Sequence, residues 1–144
     1  MKLLQKMISK PHLFFFGIIP FSLILGLLLR NETVNFAYYG VAISFNCASI
    51  FTISSVFFSM IGLNYFSLLL VKKQPKKGLT VLHIVFQIIS LTLFIYYILS
   101  MINHETSQKK QLLSFIFFIG FVFFLMSILI HLINFFASLL LKKE

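Results

Sequence analysis

The sequence predicts an all-α membrane protein of four transmembrane helices, packed as an antiparallel up-down bundle with both termini in the cytoplasm. Three observations carry this. Sixty per cent of the 144 residues are apolar, 20 of them Phe, and only 10% are charged. A soluble domain carries about 25% charge and could not bury so much apolar surface in so short a chain. Four long apolar stretches are free of Asp, Glu, Lys and Arg, at residues 13–29, about 37–71, 79–102 and 112–141. Finally, the basic residues gather at alternate ends of these stretches. Soluble globular, disordered and nucleic-acid-binding classes are excluded by this balance: the formal charge of +9 is a topology signal.

A hydrocarbon core of about 30 Å needs roughly 20 helical residues. The first stretch is slightly short, and Lys10 and Arg30 at its ends can snorkel to the headgroups. It follows Lys2, Lys6 and Lys10 as an export signal would, but ends in Leu27-Leu28-Leu29-Arg30 without a small-x-small cleavage site, so it reads as a retained helix. Pro20 in its middle predicts a local kink. The second and fourth stretches, as continuous helices, reach roughly 50 and 45 Å and must tilt or project from the bilayer. No linker leaves room for a second domain.

The loops give the orientation. Lys2, Lys6, Lys10, Lys72, Lys73, Lys76, Lys77, Lys142 and Lys143 fall on one side, and Arg30, Lys109 and Lys110 on the other. The richer side is cytoplasmic. Tyr38, Tyr39, Tyr96 and Tyr97 then mark the outer interface and Tyr65 the inner one. Asn31-Glu32-Thr33 matches a glycosylation sequon on the outer side, a pattern short enough to arise by chance.

Inside the spans, polar and small residues recur at helical spacing. Gly40, Ser44, Ala48, Thr52, Ser55, Ser59 and Gly62 make a small-residue stripe in the second, suited to close helix packing. Thr80, His83, Gln87 and Ser90 share a face of the third, and Gly120, Ser127, His131, Asn134 and Ser138 a face of the fourth. A polar group facing lipid is costly, so these faces should turn inward. His83, Gln87, His131 and Asn134 are the candidate buried polar residues. Ionisable groups within a span are functional candidates. The simplest reading is a pair of neutral histidines bonded across helices, His83 to Asn134 among them. A haem held by His83 and His131, or a proton relay, are the alternatives. No carboxylate lies in a span, which weighs against a relay. Cys47, the one cysteine, reads as a small buried hydrophobe and excludes an internal disulfide. No catalytic triad, metal-ligand spacing or phosphate loop is present.

Four patches in order resemble the last four helices of subunit I of haem–copper (cytochrome c or quinol) oxidases. Phe36 to Asn46 aligns with the family's H-D-T-Y-F-V-V-A-H-F-H, matching at Tyr39, Val41 and Phe45. Gly62 to Leu70 resembles G-F-Y-Y-W-F-P-L-L. Leu79 to Val85 resembles L-G-K-I-H-F-W, with His83 on the family histidine. Ile119 to Leu139 follows the last family helix without gaps, sharing Gly120, Ser127, Asn134 and Ser138 among others. The resemblance implies a helix opening at Phe36, a bacterial inner membrane and a respiratory setting. The family's haem-ligand positions are Ser44 and Asn46 here, and its outer metal-site positions are Phe36 and Ala37. None of these is a normal axial haem ligand. The implied protein is a degenerate oxidase subunit without haem, copper or other cofactor.

These readings converge on a non-catalytic membrane protein, an accessory or structural subunit that acts by helix packing in a membrane complex or a homo-oligomer. A small oligomeric transporter or channel using the buried polar residues is the second expectation, and a haem-binding electron carrier the third.

Overall fold

The computed structural model describes residues 8–38, 41–102 and 107–140. Its elements are α1 (Pro11–Leu28), β1 (Thr33–Tyr38), β2 (Val41–Asn46), α2 (Cys47–Leu70), α3 (Lys77–Ile102) and α4 (Ser107–Leu140). All four helices are long and apolar enough to cross a membrane. Pro11 opens α1, where its missing N–H costs nothing, and the helix runs on through Pro20 to Leu28. At roughly 51 Å, α4 exceeds a bilayer core of about 30 Å.

The second stretch is not one helix. Of its first ten residues, 37, 38 and 41–46 lie in two antiparallel strands, so among the described residues the all-α expectation is corrected to four membrane-length helices and one two-stranded sheet. The register pairs Val34 with Phe45, Phe36 with Ile43 and Tyr38 with Val41, apolar against apolar; Thr33 pairs with Asn46 and Asn35 with Ser44. β-branched and aromatic residues alternating with small and polar ones favour a pleated ribbon over a helix. Phe36, Ala37 and Ser44, expected on a helix, therefore sit in strands. Tyr39 and Gly40, between the strands, lie outside the described residues, as do Lys2, Lys6, Lys142 and Lys143.

Asn46 ends the ribbon and starts α2. Its side chain accepts the Ala48 N–H at 2.8 Å, a helix N-cap, and donates to the Arg30 carbonyl at 2.9 Å. The Cys47 N–H donates to the Glu32 carbonyl at 3.0 Å. The hairpin base is thereby tied to both flanking helices. Val34 is fully buried there in a cluster with Cys47, Phe51, Tyr97, Ile98 and Leu113.

The far end of α2 closes with a Schellman motif. The Lys73 N–H donates to the Leu68 carbonyl at 2.8 Å and the Lys72 N–H to the Leu69 carbonyl at 3.0 Å. Lys72 takes the left-handed position, with φ 56°, that glycine fills at lower cost.

Two helix pairs make the body. In the first, Gly26 of α1 lies over Phe51 and Ala48 of α2, and Gly62 of α2 lies under the ring of Phe16. The Ser22 hydroxyl crosses to the Phe51 carbonyl at 3.0 Å. In the second, Gly120 of α4 lies against Leu93 of α3, the Ser90 hydroxyl donates to the Gly120 carbonyl at 3.0 Å, and the Ser127 hydroxyl donates to Gln87 Oε1 at 2.8 Å. Each small residue sits where two helices approach most closely. The outward faces carry Leu27, Leu28, Ile53, Met60, Leu70 and Phe118, all more than half exposed.

The small stripe of α2 is only partly the packing face. Ser55 and Gly62 are buried, Ala48 and Ser59 half-buried and Thr52 exposed. The buried face instead runs through Cys47, Phe51, Ser55, Phe58, Gly62 and Tyr65, one position round the helix. The stripe hydroxyls bond within their own helix: Thr52 to the Ala48 carbonyl, Ser55 to Phe51 and Ser59 to Ser55. A hydroxyl satisfied by the carbonyl four residues back need not face protein. Large aromatic residues then decide which face turns in.

Candidate functional site

The stripes of α3 and α4 meet α2 in a buried polar seam between the two helix pairs. His83, Thr80 and Asn134 are fully buried, and Tyr65, Gln87 and His131 nearly so. Two of the six, His83 and His131, carry imidazoles, and no carboxylate among the described residues accompanies them.

The hydrogen bonds fix a direction through the seam. The Lys76 N–H donates to Asn134 Oδ1 at 2.9 Å. The Asn134 amide must then point Nδ2 the other way, where it donates to Thr80 Oγ1 at 2.9 Å and, at 3.4 Å, to the Tyr65 hydroxyl oxygen. The Thr80 hydroxyl gives its own proton to the Lys76 carbonyl at 3.1 Å. The Tyr65 proton is left to go to His83 Nδ1, 2.8 Å away. A main-chain N–H in the α2–α3 loop thus sets the tautomer of His83 three groups later. On the other side, Asn64 Nδ2 donates to His131 Nε2 at 3.2 Å.

The expected bond between His83 and Asn134 is therefore not direct: the Tyr65 hydroxyl stands between them. Tyr65 is a core residue and not an interface marker. It, Asn64 and Phe15 are the members of the site that the polar stripes do not include. The signal for Tyr65 was its place three residues after Gly62, on the face that carries Ser55 and Phe58. Phe15 had none, since nothing in α1 distinguishes one Phe from its neighbours.

Aromatic contacts enclose the pair. Phe15 stacks on His83 with centroids 4.8 Å apart and on Tyr65 at 5.7 Å. The two imidazoles lie 5.0 Å apart at an interplanar angle of 36°, and Phe135 stacks on His131 at 6.2 Å. A haem held by both histidines needs a planar macrocycle between them, with each nitrogen about 2 Å from the iron. Imidazoles ligating one iron from its two faces would have centroids well over 5.0 Å apart, so His83 and His131 as placed leave no slot for a macrocycle and do not fit that group. Gln87, one turn along α3, is engaged by Ser127. Asn46, aligned with a family haem ligand, spends its side chain on the α2 cap, and Cys47 is buried beside the hairpin. Among the described residues no group of three or more His, Cys, Asp or Glu could hold a metal ion.

Comparison with protein-family models, with curated proteins and with solved structures finds no match for this chain.

Proposed function

We propose that the protein is a non-catalytic, multi-pass membrane protein, an accessory or structural subunit that works by presenting its helix faces to other membrane subunits or to further copies of itself. One observation carries the reading: polar side chains on every one of these helices bond across to a neighbouring helix. Ser22 ties α1 to α2, Ser90 and Ser127 tie α3 to α4, and Tyr65, His83, Asn64 and His131 join the two pairs. Such a body offers neighbours apolar faces and, among the described residues, no exposed reactive set. The helices run up and down as an antiparallel bundle, with both termini and the lysine-rich α2–α3 loop in the cytoplasm and the hairpin outside. A bacterial inner membrane is its setting.

Descent from the last four helices of oxidase subunit I is a proposal of origin resting on the patches in α2, α3 and α4. The first patch, Phe36 to Asn46, aligns a family helix with two β-strands and lends it no support. The respiratory complex stays a proposal on the same footing.

Affinity purification of the full chain from its native membrane in mild detergent tests the functional reading. A membrane partner in stoichiometric amount, or a defined homo-oligomer, is expected. A lone monomer overturns it, and so does flux in reconstituted vesicles that disappears with His131→Leu.

A further inference from the structure

His83 Nε2 and His131 Nδ1 are buried and have no hydrogen-bond partner among the described residues. Both rings belong to side chains more than nine-tenths buried. The direction of the seam says what these atoms are. Because Tyr65 donates to His83 Nδ1, the proton of neutral His83 is on Nε2. Because Asn64 Nδ2 donates to His131 Nε2, the proton of neutral His131 is on Nδ1. Both unpartnered atoms are therefore N–H donors, on rings whose centroids are 5.0 Å apart.

We propose that His83 and His131 form a two-donor site for one small lone-pair acceptor, of the size of a water molecule or a halide ion, reached by the N–H at the edge of each imidazole. Buried N–H groups in native proteins are almost always paired. An acceptor at about 2.9 Å from each nitrogen satisfies both at once. No carboxylate lies in any span to take that role, since Glu32, Glu105 and Glu144 are the chain's acids. A metal ion would need a lone pair where each ring carries its proton. To supply one at His83, Tyr65 would have to turn its hydroxyl proton away from Nδ1 and toward Asn134 Nδ2, itself a donor, or Thr80 Oγ1, which already accepts from that amide. Lys76 holds that amide in place, so the network selects against a cation. Both N–H atoms are fully buried, which confines the site to something small.

The test is ¹⁵N-histidine NMR of the full chain in detergent micelles, with His12→Gln and His104→Gln removing the other two imidazoles. One Nε2–H ring and one Nδ1–H ring are expected. Replacing chloride by bromide shifts both N–H resonances if the acceptor is a halide. If it is water, they stay put and show cross-relaxation with water protons. Two Nε2–H rings overturn the proposal, as do N–H resonances with neither response, or saturable displacement of the ring protons by Zn²⁺. Should the doubly substituted chain fail to fold, Tyr65→Phe in the otherwise wild-type protein gives a second reading. It releases His83 Nδ1, so one ring of the four must become a tautomer mixture; no change overturns the proposal.

Discussion

At the scale of single residues, the seam shows how one hydroxyl can organise two histidines. Tyr65→Phe removes the donor to His83 Nδ1 and the acceptor for Asn134 Nδ2 while keeping the ring that Phe15 stacks on. Hydrogen bonds between membrane helices are worth about 0.6 kcal/mol on average and up to about 1.7. We expect a loss of about 1 kcal/mol, read as a lower unfolding temperature in detergent. Thr52→Ala is the control, since its hydroxyl bonds only within α2 and the residue is exposed; a change of less than about 0.5 kcal/mol is expected. Lys72 supplies a prediction of opposite sign. Its left-handed backbone is one that glycine adopts freely, so Lys72→Gly should stabilise the protein by about 1 kcal/mol. A loss of stability would show that the lysine side chain contributes more than its backbone strain costs.

Among the elements, the hairpin and its junction with α2 are what hydropathy conceals. Residues 37–71 are apolar throughout, and a window that averages hydropathy sees one long helix. The alternation Val34, Phe36, Tyr38 and then Val41, Ile43, Phe45 was present in the sequence, with polar or small residues between, but period two is hard to see against so apolar a background. Asn46 is a residue type that caps helices, but its place inside a continuous uncharged run hid the cap that the structure shows. By contrast, the faces of α3 and α4 were legible. Thr80, His83, Gln87 and Ser90, and Ser127, His131, Asn134 and Ser138, are polar residues at helical spacing among Phe, Leu and Ile, and lipid gives them no other place to go. The stripe of α2 misled because small hydroxyls can satisfy themselves within the helix, whereas His, Asn and Gln cannot. Asn46→Ala should cost about 1 kcal/mol through the lost cap, and Asn46→Asp much less, in thermal unfolding. Gly120→Leu should weaken the α3–α4 pair strongly, because even a Cβ there would lie 3.2 Å from Leu93 Cβ, whereas Gly17→Ala meets nothing within 4 Å and should be tolerated.

For the whole molecule, apolar composition and lysine placement identify the solvent, and the seam explains how two helix pairs become one body. The topology is open to a direct check. Single cysteines at Gln74 and Glu32, in a Cys47→Ala background, should react with an impermeant maleimide from opposite sides: Gln74→Cys only from the cytoplasm, Glu32→Cys only from outside. Reaction of both from one side would remove the up-and-down arrangement. What the sequence left unread at this scale was the junction itself. Phe15 and Asn64 come from stretches with no distinguishing pattern, Tyr65 is marked only by its spacing from Gly62, and the packing of the helices brings them to His83 and His131.

The central claim is that His83 and His131 belong to a hydrogen-bonded seam and not to a redox centre. A reduced-minus-oxidised absorption spectrum of the full chain, purified in mild detergent from haem-replete cells, tests it most directly. The account predicts a flat difference spectrum through the Soret region. A Soret band at one haem per chain, lost with His83→Ala or His131→Ala, would contradict it.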